Sequence, residues 1–247
     1  MRFISVDAKT KRRTIVIVSL CFLLLIMYWS SPSEPAVYPV VGSHEPVDRV
    51  DISGEKIALT FNIAWGDETF SEVLDVLDEQ GVKSTFFVAG PWAETNRPLV
   101  ERASEDGHEI ATMGYRQLDL TTAEDETMRE EISKGVQVLK DSLQQSPRLF
   151  RPPTGQWDDR VMNAATELGL VTVTASLDSR DWTNPGVEQI VDNVLTDVQP
   201  GFLIEFHADD SSTQLPEALP VIIKQLHEEG FELITVSQLL GIADTIE

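Results

Sequence analysis

Four times in this chain an acid-bearing amphipathic segment ends in a glycine and an apolar run begins at once: DEQG-VKSTFFV at Gly81, SEDG-HEIAT at Gly107, TELG-LVTVTA at Gly169 and HEEG-FELITV at Gly230. Glycine adopts the left-handed conformation at low cost, so it ends a helix and lets the chain turn directly into the next strand. This grammar predicts helices over 69–80, 94–106, 124–145, 159–168, 187–198 and 213–229, and strands over 57–63, 84–88, 109–112, 149–151, 171–175, 202–206 and 231–236. Seven strands alternating with helices, with no hairpin signal between them, imply parallel strands joined by right-handed crossovers. The expected fold is therefore α/β, a seven-stranded (β/α) barrel, with an open doubly wound sheet as the alternative. The loop after the first strand, AWGDET, carries neither GxGxxG nor GxxxxGK[ST], so no nucleotide is expected as a partner.

The first strand reads KIALTFNIAWG from Lys56 to Gly66 and alternates as a half-buried strand does. In a barrel, the C-terminal ends of the strands converge on one mouth, and there the chain places polar residues: Asn62 with Asp67, then Met113 to Gln117, Arg151, Asp178 with Asp181, and Glu205 with His207. Each has a plain structural explanation. Asn62 ties down its loop, Asp181 caps the helix near Val187, or His207 is a satisfied core histidine. Together they point to a site, because an arginine, several carboxylates and a histidine are costly to bury unless they pair. Pro152 and Pro153 stiffen the backbone after Arg151, and Trp182 offers either a sugar-stacking platform or a lid over the core.

The N-terminus has its own logic. Arg2, Lys9, Lys11, Arg12 and Arg13 precede an uncharged apolar run, Thr14 to Trp29, that closes on the interfacial pair Tyr28 and Trp29. The pattern predicts a basic cytoplasmic tail (1–13), a single transmembrane signal anchor (14–29), a Pro-rich linker (30–50) and one domain (51–242) on the outer side of the membrane. A cleaved signal peptide is the competing reading, but no Ala-x-Ala site follows the run. Cys21 lies within that run and is the one cysteine of the chain, so the domain has no disulfide and no thiol nucleophile. The formal net charge of −22 excludes nucleic acid as a partner, since such partners select basic surfaces.

The ordered series TFNIAWG, GHEIATMGYRQLDLT, RPPTG, DSRDW and FHAD resembles the five motifs of the NodB-homology polysaccharide deacetylases, carbohydrate esterase family 4. In detail it is similar to the sporulation polysaccharide deacetylases of PdaB type, membrane-anchored members associated with spore-cortex peptidoglycan. The resemblance implies a distorted seven-stranded (β/α) barrel and hydrolysis of the N-acetyl amide of peptidoglycan or another N-acetylhexosamine glycan. It also implies roles. Asn62 stands where the family has its general base, Ile63 where it has a metal-binding aspartate, and Met113 and Gln117 where it has two metal-binding histidines. Arg151, Asp181 and His207 match the positions that orient the base and supply the general acid. Glu205 replaces an apolar residue, and with Asp67 or Asp209 it is the carboxylate available to rebuild a metal site or replace the base; Tyr115, Trp182 and Asp67 are the expected sugar contacts. No metal or other cofactor is expected. What remains is a metal-free deacetylase, a glycan-binding pseudoenzyme or a spore-envelope interaction module.

Overall fold

The computed structural model describes residues 45–242; the basic tail, the expected membrane anchor and most of the linker lie outside them. Among the described residues no helix is long and apolar enough to cross a membrane. Eight strands form one sheet: β1 (Lys56–Ile63), β2 (Thr85–Val88), β3 (Glu109–Thr112), β4 (Leu149–Phe150), β5 (Val171–Thr172), β6 (Leu177–Asp178), β7 (Leu203–His207) and β8 (Glu232–Leu233). Their order is β5-β4-β3-β2-β1-β7-β6, with β8 also on β1, and every named pair is parallel. Among the described residues eight helices accompany them: α1 (Glu68–Gln80), α2 (Gly90–Thr95), α3 (Arg97–Glu105), α4 (Asp125–Leu143), α5 (Asp159–Glu167), α6 (Val187–Leu195), α7 (Leu215–Glu228) and, after the last strand, α8 (Val236–Leu239).

The sheet curls without closing, so the expected barrel is a half-barrel whose edges are β5 and β6. Strands β4, β5, β6 and β8 have only two residues each, too few for a continuous ladder around the ring. The chain itself bridges the open side. Val47 pairs with Val173 and Arg49 with Phe202, so the packed unit takes in residues 47–50, which composition had assigned to the linker.

The glycine grammar holds at each of its four positions, with φ of 66° at Gly81, 86° at Gly107, 74° at Gly169 and 91° at Gly230. The predicted helix 94–106 is instead two helices that break at Asn96, because Pro98 cannot donate to the preceding turn and starts α3 at its first turn. The strand expected to run to Val236 stops at Leu233, where Thr235 and Gln238 form a capping box that opens α8.

Strand β1 corrects the half-buried reading, since all its residues from Ile57 to Ile63 are buried. Its alternation separates two buried faces rather than core from solvent. Ile57, Leu59, Phe61 and Ile63 join the large cluster beneath the helices. There Phe61 stacks between Phe86 of β2 and Phe206 of β7, with ring centroids 5.1 and 5.3 Å away. Ala58, Thr60 and Asn62 face the opposite way. Burying those aromatic faces stabilises by about 2 kcal/mol for each ring, which fixes the register of the central strands and hence the height of the polar residues they carry.

Candidate functional site

The interior face of β1 and β7 carries Thr60 and Asn62 beside Glu205 and His207, with Thr60 in register with Glu205 and Asn62 with His207. Into this face reaches Arg151, from the residue after β4, only 2% exposed. Its Nη1 donates to Asn62 Oδ1 at 2.9 Å; its Nη2 donates to Thr60 Oγ1 at 2.9 Å and to the Thr174 carbonyl at 3.2 Å. The guanidinium lies 4.0 Å over the Phe87 ring. Burial lowers the Arg151 pKa and the Glu205 carboxylate pushes the other way, yet a guanidinium stays charged in proteins. Asn62 is thus used on both sides, since its Nδ2 donates to Glu205 Oε1 at 2.9 Å. The reading in which Asn62 ties down its own loop does not describe these cross-strand bonds.

His207 is held as firmly. The carboxylate of Asp181, fully buried, accepts from the backbone N–H of His207 at 2.8 Å and of Trp182 at 2.9 Å, and lies 2.9 Å from His207 Nδ1. Asp181 opens a 3-10 turn, and the helix at Val187 is preceded by Gly186, so the capping explanation for Asp181 fails. With Nδ1 engaged, Nε2 points away from Asp181 and lies 3.6 Å from Glu205 Oε1. Burial pulls the His207 pKa down, but its hydrogen bond to Asp181 and the charges of Asp181, Glu205 and Asp209 outweigh this and raise it above 6.5.

Two adjoining cavities open here and share Asn62, Pro153 and His207. The larger, about 540 Å³, is lined by Arg151, Asp178, Trp182 and Glu205 among others. The smaller, about 240 Å³, is lined by Ile63, Trp65, Met113, Gln117 and Asp209. Two expected sugar contacts lie elsewhere. Asp67 is exposed at the start of α1 and lines neither cavity. Tyr115 is turned toward α2 and α4: its hydroxyl bonds Glu94 Oε2 at 3.1 Å and the Lys134 ammonium lies 3.4 Å from its ring centre. Sequence reasoning missed Thr60, whose signal was its spacing two residues before Asn62 on one strand face. It also missed Phe87 under Arg151 and Asp210, which accepts from the N–H groups of Asp67 and Thr69 and so pins the loop after β1.

The Polysaccharide deacetylase family pattern matches residues 49–173. The chain belongs to the polysaccharide deacetylase family. It is 35% identical over 188 residues to a peptidoglycan-N-acetylglucosamine deacetylase of Bacillus cereus, covering 74% of this chain and 87% of that protein. It is 29% identical over 210 residues to the uncharacterized protein YlxY of Bacillus subtilis, covering 85% of this chain and 65% of YlxY, about two thirds of its length. The crystal structure of a carbohydrate esterase family 4 pseudoenzyme from Bacillus anthracis is similar with a TM-score of 0.76 and 27% identity, covering 81% of this chain and 70% of that one. Asn62, Ile63, Met113 and Gln117, which the motif resemblance sets at the base and metal positions, all line the smaller cavity. Among the described residues no group of three or more His, Cys, Asp or Glu is placed to hold a metal ion.

Proposed function

We propose that this polysaccharide deacetylase-family chain recognises the N-acetylated amino sugars of peptidoglycan without the family's metal chemistry. The observation that carries this reading is Asn62: at the position of the general base it offers an amide whose oxygen and nitrogen are both engaged, to Arg151 and Glu205. An amide does not take a proton from water. The donors at the metal positions do not fit a hard divalent cation either. Ile63 has no donor atom, and Met113 presents a thioether that already lies 3.9 Å from Gln117 Nε2. His207 and Asp209 line the same cavity, but two donors fall short of a closed coordination sphere.

The retained half of the site suits binding. Asp181 orients His207 so that Nε2, when protonated, donates to an acetamido carbonyl. Glu205 accepts from a sugar hydroxyl or amide N–H, and Trp182, 51% exposed, offers its ring to the apolar face of a pyranose. Calorimetric titration with peptidoglycan fragments tests this, comparing native with chemically de-N-acetylated strands. Tighter binding of the acetylated strands, lost in Trp182→Ala, is the expected result; equal affinity for both contradicts the reading.

One observation favours a second reading, metal-free hydrolysis. Glu205 Oε1 and His207 Nε2 face each other at 3.6 Å over the larger cavity, the arrangement of a carboxylate base and an imidazolium acid. Glu205 would take a proton from water as the oxygen attacks the acetyl carbon, and His207 would protonate the departing amine, giving acetate and a free amino sugar. Acetate release abolished by both Glu205→Gln and His207→Ala would establish it.

The location also belongs to this proposal. The basic tail before Thr14–Trp29 supports an uncleaved anchor with the domain outside the membrane, on the cell-wall or spore-cortex side. Protease accessibility of the domain in intact protoplasts is the expected result, and protection contradicts it.

A further inference from the structure

We infer that residues 47–50 are a positioning strap for Arg151: by clamping residues 173–176 they fix the Thr174 carbonyl to which Arg151 donates, and through Arg151 the seating of Asn62 and Glu205. Strands β5 and β6 have two residues each and are joined by residues 173–176 alone, so the backbone there has little ladder of its own. The strap supplies the missing partners. The Val47 N–H donates to the Thr172 carbonyl at 2.9 Å, and the Val47 carbonyl accepts from the Thr174 N–H at 2.8 Å. The Asp48 carbonyl accepts from the Ser176 hydroxyl, whose oxygen accepts in turn from the Leu203 N–H at 3.0 Å. The Val50 N–H closes the series on the Gly201 carbonyl at 2.9 Å. Backbone groups left unpaired at buried positions are costly, so the strap completes the sheet where its own strands run out.

What the strap holds on one side, Arg151 uses on the other. Thr174, whose N–H is bonded to Val47, presents its carbonyl to Arg151 Nη2 at 3.2 Å; the same Nη2 donates to Thr60 while Nη1 donates to Asn62. Among the described residues Arg151 Nε has no hydrogen-bond partner, so the guanidinium is oriented by these three acceptors, and Thr174 is the one that does not belong to β1. A planar guanidinium turns when an acceptor moves, and Asn62 turns with it. Packing gives a second route. Val47, Val50 and Ile52 lie against the interior cluster that includes Phe87, Val173 and Leu203, and the Phe87 ring carries the guanidinium at 4.0 Å. The strap fits closely: at Gly201 (φ 83°), just before β7 and at the end of that strand opposite His207, a β-carbon would collide with the Val50 carbonyl oxygen.

The test reads the NMR signals of the Arg151 Nε–H and the Asn62 side-chain amide in the full-length chain in detergent, with affinity for acetylated peptidoglycan fragments measured alongside. Val47→Pro removes the N–H that bonds Thr172, and Gly201→Ala drives the strap away from β7; neither residue lines the two cavities. Both variants are expected to shift the two signals and to weaken fragment binding about fivefold, the scale of one hydrogen bond. Ser176→Ala, which removes only the hydroxyl between Asp48 and Leu203, is expected to shift them less in the same direction, and it decides the matter if the other two do not fold. Val47→Ala keeps both backbone bonds and is expected to leave the signals in place although it removes packing. Ile222→Val, buried on α7, is the control for loosening in general. Signals that stay in place in the strap variants, or that move as far in Ile222→Val, overturn the inference. Wild type that binds no fragment overturns the glycan reading alone, because the two signals still decide this inference.

Discussion

The Nδ2 of Asn62 donates to Oε1 of Glu205 at 2.9 Å, across strands 143 residues apart in sequence. Glu205 thereby brings negative charge to a buried arginine whose partners on β1, the Asn62 amide and the Thr60 hydroxyl, are both neutral; its Oε2 lies 3.8 Å from Arg151 Nη1. The two positions share one electrostatic task, so their substitutions are not independent. Glu205→Leu alone strands Arg151 and is expected to cost about 2 kcal/mol. Asn62→Asp alone sets a second carboxylate against Glu205 and is expected to cost about 1 kcal/mol at neutral pH, less in acid. The double variant, with one carboxylate beside Arg151, is expected to be more stable than either single one in urea unfolding. Additive losses would contradict the shared role.

His207 gives a pH dependence with a definite sign. Its folded pKa is raised above the ordinary 6.5, against the pull of burial, by Asp181 and the neighbouring carboxylates. Its contribution to stability is therefore complete below pH 6.5 and lost as pH rises through the folded value. Asp181→Asn removes the charge and changes the bond, so the His207 titration followed by NMR is expected to move down and the alkaline loss of stability to begin earlier. An unmoved titration would mean that Asp181 does not govern this imidazole.

His108 acts in the opposite sense. It is 5% exposed, its Nδ1 accepts from the Ser84 N–H at 3.2 Å, and burial, with Lys83 nearby, pushes its pKa down to about 4. Its contribution is complete above pH 6.5 and lost as pH falls toward about 4, where the folded imidazole protonates. NMR is expected to find one histidine titrating near that value while stability falls over the same window. A His108 titration near 6.5 would contradict the burial argument.

Gly135 sits inside α4, where alanine normally stabilises a helix by about 1 kcal/mol. Here a β-carbon would lie 2.5–2.7 Å from the backbone of Gly114. The same contact region carries the bond from the Tyr115 N–H to the Glu131 carbonyl at 2.9 Å, which holds the loop bearing Met113 and Gln117 against the helix. Gly135→Ala is expected to destabilise by about 2 kcal/mol despite its propensity. A rise in melting temperature would refute this close approach.

The parts of the fold legible in sequence are those set by local chemistry. The glycine stops work because a left-handed residue is needed wherever a helix turns straight into a strand, and the C-terminal ends of β1 and β7 could be read because their polar residues follow apolar runs. Strand β6 was not legible: Leu177–Asp178 is two residues long, and its pairing with β7 is a tertiary fact. Likewise, burial on both faces of β1 depends on what packs inside the half-barrel, and alternation alone cannot distinguish it from one wet face. At the site, Asn62, Arg151, Asp181, Glu205 and His207 could be named because strand ends and motif order place them together. Tyr115 and Asp67 could not be placed, because loop side chains turn toward partners such as Glu94 and Lys134 that only the folded chain brings near.

The central claim is that the site holds acetylated sugar without metal-dependent chemistry. The most direct measurement is acetate release by the full-length chain on acetylated peptidoglycan fragments, with added zinc and with a chelator, alongside calorimetric binding of the same fragments. The account predicts saturable binding, unchanged by zinc or chelator, with no zinc-dependent acetate. Zinc-stimulated acetate release that the chelator abolishes would contradict it.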